Sequence, residues 1–279
     1  MKTIGIVVNR KKDPDLSFVK KVLSALAPKG AEILLAAPAR EGAEWKNVRF
    51  VGSESELFCA DMILVLGGDG TILSIASFAA KAGVPILGVN LGTVGFMAEI
   101  EKDRLSLLDR LFTGEYSIEE RMMLETRAQG SNEPLISLNE CCISLDHGFH
   151  ILTADLYDEE KKICEIKADG VIFSTPTGST GYSFSAGGAV VDSRLPSIGV
   201  KAICPYLLNN APHLIFPETA RLTLKNIATR SGSLYVSSDG REEQRLPENS
   251  SLTVCRSPYS LKMIRFGKTS NIYSFFKKF

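Results

Sequence analysis

Short apolar runs alternate with stretches of helical spacing through the first part of the chain. TIGIVV (3–8) is followed by a helical stretch near 14–27, then EILLAA (32–37), DMILVLGGDG (61–70), a helix from about Thr71 to Lys81, and VPILGVN (84–90). A further helix, about 103–112, ends at Gly114. Near-continuous apolar strands between amphipathic helices predict a parallel sheet covered on both faces. From about Ser117 the pattern changes to alternating apolar and polar positions, as in EERMMLETRAQ, PLISLNECCISL, HILTADLYD and KKICEIKADGVIFST. These runs predict antiparallel strands with one buried face. Ser233–Ser238, Ser251–Arg256 and Leu261–Phe266 continue the pattern, and Asp239-Gly240 supplies a hairpin turn. The final NIYSFFKKF reads as a short helix. The expected architecture is therefore α+β overall. An α/β N-terminal domain (1–116), a parallel sheet with flanking helices, precedes a β-rich C-terminal domain (117–279) whose last segment packs back on the first domain.

Composition narrows the function classes. Lys and Arg together number 32, equal to Asp and Glu, so nothing predicts a nucleic-acid partner or an acidic membrane surface. No apolar run approaches the roughly 18 residues of a membrane span. The opening MKTIGIVVNRKKDPD reads as a strand and not a signal peptide. The expectation is a soluble cytoplasmic protein. The cysteines (59, 141, 142, 164, 204, 255) lie mostly in apolar strand-like runs without a C-x-x-C pair, and are read as reduced, buried small hydrophobes.

Two segments carry chemistry. Strand DMILVL runs directly into Gly67-Gly68-Asp69-Gly70-Thr71 and then into helical ILSIASFAAKAG. Glycines at a strand-to-helix turn let amides approach a phosphate, the helix start adds partial positive charge, and ligands bind at such strand ends. Three glycines around one acid exceed what turn geometry alone requires. The second segment, Asp169 to Gly188, packs Thr175, Thr177, Ser179, Thr180, Ser183 and Ser185 with small residues and Tyr182 into one loop, suited to bonding ribose and phosphate and to stacking. His147 and His150 flank a Gly-Phe turn without a third ligand, so no metal site is assigned to them. His213 reads as structural or exposed. Arg10-Lys11-Lys12 reads as a solvated basic loop that could meet a triphosphate.

Gly67–Thr71, Asn139-Glu140, and the run from Asp169 through Thr175-Pro176-Thr177-Gly178-Ser179-Thr180 to Ala186-Gly187-Gly188 resemble the NAD kinase family, in order and spacing, over essentially the whole chain. The first motif is shared with diacylglycerol and sphingosine kinases. The second is far more specific. The resemblance implies Mg²⁺-dependent transfer of the γ-phosphoryl group of ATP, or of a polyphosphate, to the adenosine 2′-hydroxyl of NAD. It implies Asp69 as catalytic base, with Gly70 beside it, both in the dinucleotide site, and Gly67, Gly68 and Thr71 shaping the phosphate loop. Asn139, Glu140, Lys167, Asp169, Thr180, Gly181, Tyr182, Ser183 and Ser185 would bind the dinucleotide, Lys167 accompanying a preference for NAD over NADH. No protein metal ligands are implied, since a divalent cation can be held by phosphate oxygens and water. A homodimer or homotetramer is implied as well. Gly181 departs from the usual Ala, Tyr206, Leu207 and Ala211 from His, Thr and Arg, and Arg241 from Gln. The rival readings are a lipid kinase sharing the first motif and a non-catalytic dinucleotide-binding regulator. An apolar acceptor cleft would mark the former, and absence of turnover the latter.

Overall fold

The computed structural model describes residues 2–36, 45, 47–92, 95–145, 151–206, 213–229 and 232–267. The chain forms two compact units, drawn mainly from Met1–Arg121 with Tyr259–Thr269 and from Met122–Pro258.

The first unit is α/β. Strands β1 (Thr3–Val8), β2 (Glu32–Ala36), β3 (Val48–Val51), β4 (Met62–Gly67) and β5 (Ile86–Asn90) run parallel in the order β3-β2-β1-β4-β5. The short β6 (Ile100–Glu101) also pairs with β5. Strand order reverses between β1 and β4, so their carboxyl ends open a crevice of the kind that receives ligands in open α/β sheets. Helix α1 (Ser17–Leu26) packs Val19, Val22 and Leu26 into a core with Ile4, Ile6, Leu35 and Leu64. It starts later than its periodicity predicts. Buried Asp13 accepts the amides of Phe18 and Val19 at 3.0 and 2.9 Å, and Leu16 takes a left-handed φ of 57°, which holds 14–16 in a turn. Helix α2 (Asp69–Ala82) ends at Gly83, whose φ of 70° closes it with a left-handed residue. The helix expected over 103–112 is a 3₁₀ turn, Leu105–Asp109, leading into the short α3 (Arg110–Thr113), stopped by Gly114 at φ 77°. Strand β3 was not anticipated, being four residues long and only partly buried.

The second unit is an antiparallel β structure. One sheet has the order β14-β13-β12-β9-β16-β17, built from β9 (Glu140–Leu145), β12 (Gly170–Ser174), β13 (Ser197–Ile203), β14 (Leu214–Pro217), β16 (Leu234–Ser238) and β17 (Glu242–Leu246). A second layer holds β10 (Leu152–Asp158), β11 (Lys161–Ala168), β15 (Leu222–Thr229) and β18 (Ser250–Arg265), with β7 (Ser117–Ala128) and β8 (Leu135–Ser137). The last residues of β18 belong to the first unit, where Met263 pairs parallel with Ile86. Alternate residues, among them Ile143, Phe173, Leu224 and Val254, form one core. The Asp239-Gly240 hairpin turn forms as expected, both residues having positive φ (50° and 66°). The α/β N-terminal and β-rich C-terminal fold class read from the sequence is the one observed.

All six cysteines are free, but Cys59 and Cys204 are exposed, contrary to the expected burial. Burial pushes the Cys142 thiol up to about 12. No helix among the described residues is long and apolar enough to cross a membrane. The expected terminal helix over NIYSFFKKF lies outside the described residues.

Candidate active site

Every residue of β4 is buried, and the strand leaves the sheet at Gly67. A Cβ there would stand 2.3 Å from Thr71 Oγ1, so only glycine lets the α2 start fold against the strand end. Thr71 Oγ1 in turn accepts a bond from Asn9 Nδ2, at the end of β1, at 3.0 Å. Asp69 is the first residue of α2, at the positive end of its dipole. Its carboxylate accepts the Phe96 amide at 2.9 and 3.1 Å and the Met97 amide at 3.1 Å, and is half-buried. Buried Asn90, at the end of β5, spans the same crevice: its Oδ1 accepts the Gly92 amide and its Nδ2 donates to Glu101. The Lys12 ammonium overhangs the turn, 2.8 Å from where a Cβ on Gly68 would stand and 2.6 Å from one on Gly92. Gly70 is exposed. The crevice thus offers one fixed carboxylate, glycine backbone open to close approach, and a cation over it.

In the second unit, central strand β12 delivers Thr175, whose hydroxyl donates to the Leu138 carbonyl at 2.6 Å and accepts the Gly178 amide at 3.0 Å. Gly178 packs backbone against backbone, its absent Cβ only 2.1 Å from the Asn139 oxygen. This contact brings the Asn139-Glu140 corner and the 178–185 loop together. A Cβ on Gly181 would stand 3.2 Å from Glu140 Oε2 and 3.5 Å from Asn139 Nδ2. The loop continues as a 3₁₀ turn, Gly178–Thr180, and one helical turn, α4 (Tyr182–Ser185). Asp239 holds the corner from the other side, accepting the amides of Leu138, Asn139 and Glu140 at 2.8, 2.7 and 3.1 Å.

The electrostatics of this corner are unusual. Glu140 is 8% exposed, and burial, then the neighbouring Asp239 charge, push its carboxyl up to about 7 against the opposing Tyr182 amide. Asn139 Oδ1, Glu140 Oε2 and Ser183 Oγ are buried with no hydrogen-bond partner in the protein. Buried polar atoms are normally paired, so the orphans of Asn139 and Glu140, with that of Ser183 in the adjoining helical turn, mark a place for a polar ligand. The Tyr182 phenol, 46% exposed, is raised by burial and then by the surrounding acidic groups, Cys142, Cys204, Glu140 and Asp169. Asp169 and Ser185 are exposed, and Thr180 is half-buried. Lys167 lies on the outer strand β11, its ammonium 2.5 Å from Glu165. Of the candidates in this unit, Asn139, Glu140, Gly181, Tyr182 and Ser183 gather around the orphaned atoms, whereas Lys167 is turned to Glu165.

Comparison with known proteins gives the family. The model of the ATP-NAD kinase N-terminal domain matches residues 4–116, and that of the ATP-NAD kinase C-terminal domain matches 138–266. The chain belongs to the NAD kinase family. It is 37% identical over 265 residues to an NAD kinase of Pyrococcus furiosus, covering 95% of this chain and 94% of that one. An NAD kinase of Natranaerobius thermophilus is 31% identical, with 97% and 95% covered. Among solved structures, yeast NADH kinase complexed with NADH superposes with a TM-score of 0.86 at 22% identity, covering 100% of this chain and 86% of that chain. An Archaeoglobus fulgidus NAD kinase in complex with ATP gives 0.78 at 22%, covering 99% and 98%.

Several residues of this family member escaped the sequence reading. Phe96, Met97 and Asn90 were not singled out, although Gly92 and Gly95 after an apolar strand signal a turn needing close approach. Asp239 was read only as a hairpin residue. His213 is half-buried, with Nδ1 accepting the Ala189 amide at 2.8 Å; burial, then Lys201, lower its basicity. Of the family departures, Tyr206 is 66% exposed, while Leu207 and Ala211 lie outside the described residues, as do His147 and His150.

Proposed function

We propose that Asp69 is the base with which this NAD kinase transfers the γ-phosphoryl group of ATP to the adenosine 2′-hydroxyl of NAD. The 2′-oxygen bonds to the γ-phosphorus, the bond from the γ-phosphorus to the β,γ-bridging oxygen breaks, and the hydroxyl proton passes to Asp69, leaving NADP and ADP. Phosphoryl transfer through a loose transition state asks mainly for alignment and charge neutralisation, so a single fixed carboxylate is enough. The observation that carries the reading is the Asp69 carboxylate, held by the Phe96 and Met97 amides at the mouth of the β4–α2 glycine turn.

The Gly67, Gly68 and Thr71 turn would receive the triphosphate, with the Lys12 positive charge at its edge, and Gly70 would lie beside Asp69 in the dinucleotide site. When bound with ATP, a magnesium ion supplies charge neutralisation at the phosphate oxygens. Among the described residues no group of three or more His, Cys, Asp or Glu is arranged around a metal. Backbone amides and Lys12 suit a cation carried by phosphate and water. The 117–279 domain would bind NAD through Asn139, Glu140, Asp169 and the Thr180–Ser185 loop. Its orphaned Asn139 and Glu140 oxygens can accept hydrogen bonds from the hydroxyls of a ribose, and the Ser183 hydroxyl can donate to one. The Lys167–Glu165 pair would have to open for Lys167 to reach a ligand. Polyphosphate as an alternative donor, a cytoplasmic site of action, supply of NADP to the cell and assembly into a homodimer or homotetramer complete the proposal.

The test is NADP formation from NAD, ATP and Mg²⁺, with Asp69→Asn alongside. Loss of about 10²–10⁴-fold in kcat with NAD binding retained is expected. Native protein that binds NAD without turnover would favour the regulator instead.

A further inference from the structure

The partners of Asp69 are backbone amides from a segment 27 and 28 residues away, so something must hold that segment in place. Its ends are tied to the sheet: Asn90 meets the chain at Gly92, and the Glu99 amide donates to the Gly88 carbonyl at 3.0 Å. The Phe96–Met97 stretch between those ties is not within a strand or helix. A further anchor comes from near the far end of the chain. Arg265, near the end of β18, donates from Nη1 to the Met97 carbonyl at 2.9 Å and to Glu99 Oε2 at 3.2 Å. Its Nε donates to Glu119 Oε2 at 2.7 Å, and its side chain is 11% exposed.

Met97 is thereby strung between two groups, its N–H on Asp69 and its C=O on Arg265. We infer that Arg265 is a positioning residue for the reaction, fixing the Asp69 carboxylate through the Met97 backbone. The inference rests on Asp69 acting as the base. Charge supports the clamp. Arg265 and buried Arg121 share Glu119, and Glu99 answers Arg265, giving two cations and two carboxylates in one network; Glu99 also accepts the Phe266 amide at 2.8 Å. Burial would raise Glu119, but the two guanidinium charges and their hydrogen bonds outweigh it and hold its carboxyl below the usual range. A balanced ion network alone would serve only folding. The bond to the Met97 carbonyl is what couples it to the catalytic carboxylate. Lysine carries the charge but lacks the planar fork needed to reach a carbonyl and two carboxylates together.

The experiment measures kcat and both KM values for Arg265→Lys, with Asp69→Asn and the remote core variant Val22→Ala as references. Val22 is fully buried in α1 and shows what destabilisation alone does. Should Arg265→Lys fold poorly, Arg265→Met combined with Glu99→Gln removes one cation with the carboxylate that answers it, leaves Glu119 on Arg121, and takes its place. A displacement of the reacting groups by about 1 Å costs about a hundredfold. Arg265→Lys is expected to lose about ten- to a hundredfold in kcat per folded molecule, with little change in either KM. Added guanidinium, held by the remaining Glu119, is expected to restore part of the loss in the double variant. Native kcat in Arg265→Lys beside a dead Asp69→Asn overturns the inference and leaves the base assignment standing. Substantial activity in Asp69→Asn overturns both. A kcat loss no larger than the folded fraction explains, as in Val22→Ala, also overturns it.

Discussion

Replacing Glu140 by Gln should make the protein more stable, and increasingly so as the pH rises. The carboxyl is 8% exposed, beside Asp239, with its ionisation raised from 4.5 to about 7. The folded state therefore binds this proton more tightly than the unfolded chain. Between 4.5 and about 7 the unfolded chain has released the proton while the native state keeps it, so rising pH favours unfolding. Above that window the ionised carboxylate costs the fold its full penalty. The rise from 4.5 to about 7 corresponds to about 3 kcal/mol. Gln keeps the shape without the charge, though its buried amide also loses water, so about 3 kcal/mol is a ceiling and about 1–3 kcal/mol the expected gain above pH 7. For a chain of this size that is several degrees in Tm. Urea or thermal unfolding of both proteins across the window should show curves that coincide near pH 4.5 and diverge towards neutrality. A stability difference that does not change with pH, or a Gln variant less stable than wild type at neutral pH, would refute the reasoning. The same replacement should weaken NAD, because a site kept short of partners for its ligand is less stable without it.

Gly67→Ala places a methyl 2.3 Å from Thr71 Oγ1 and should destabilise by about 1–3 kcal/mol in urea unfolding. Gly68→Ala meets only the mobile tip of Lys12, at 2.8 Å, so stability should stay within about 0.5 kcal/mol while KM for ATP rises. Asp239→Asn removes the charge that adds to burial in raising Glu140 and weakens the support of three amides; KM for NAD should increase and Glu140 should titrate below about 7, read by pH-dependent NAD binding. Burial, then the Lys201 charge, lower the basicity of His213. Its contribution is present above the ordinary value of 6.5 and lost below it, so wild type should lose stability relative to His213→Leu as the pH falls through that point.

Much of the fold was legible because its signals are local. The apolar runs at 3–8, 61–70 and 84–90 became β1, β4 and β5, and the glycines at 67 and 114 punctuate the elements where expected. The glycine turn around Asp69 was legible for the same reason: its geometry is written in adjacent residues. Local signals also account for the errors. The run near 14–27 has helical spacing from its start, but Asp13 captures the first amides and the helix begins only at Ser17. Residues 103–112 have helical spacing too short to resist tightening into a 3₁₀ turn. Nothing in the spacing distinguishes those cases.

What the sequence could not reveal shares one physical form: an acid that binds backbone far from it. Asp69 takes amides 27 and 28 residues on, Asp239 takes three amides 99 to 101 residues back, and Asp61 takes those of Lys2 and Thr3. An amide carries no residue identity, so neither composition nor motif marks the receiving segment. The arrangement suits catalysis on two counts. Backbone donors have no side-chain rotamers, so a carboxylate bound to them is fixed without the entropy of ordering a long partner. Charge-assisted bonds of this kind are also stronger than neutral ones. The consequence is that substitutions at Phe96 or Met97 leave the donors in place, whereas the groups that hold their backbone, Asn90 and Arg265, decide whether Asp69 stays aligned.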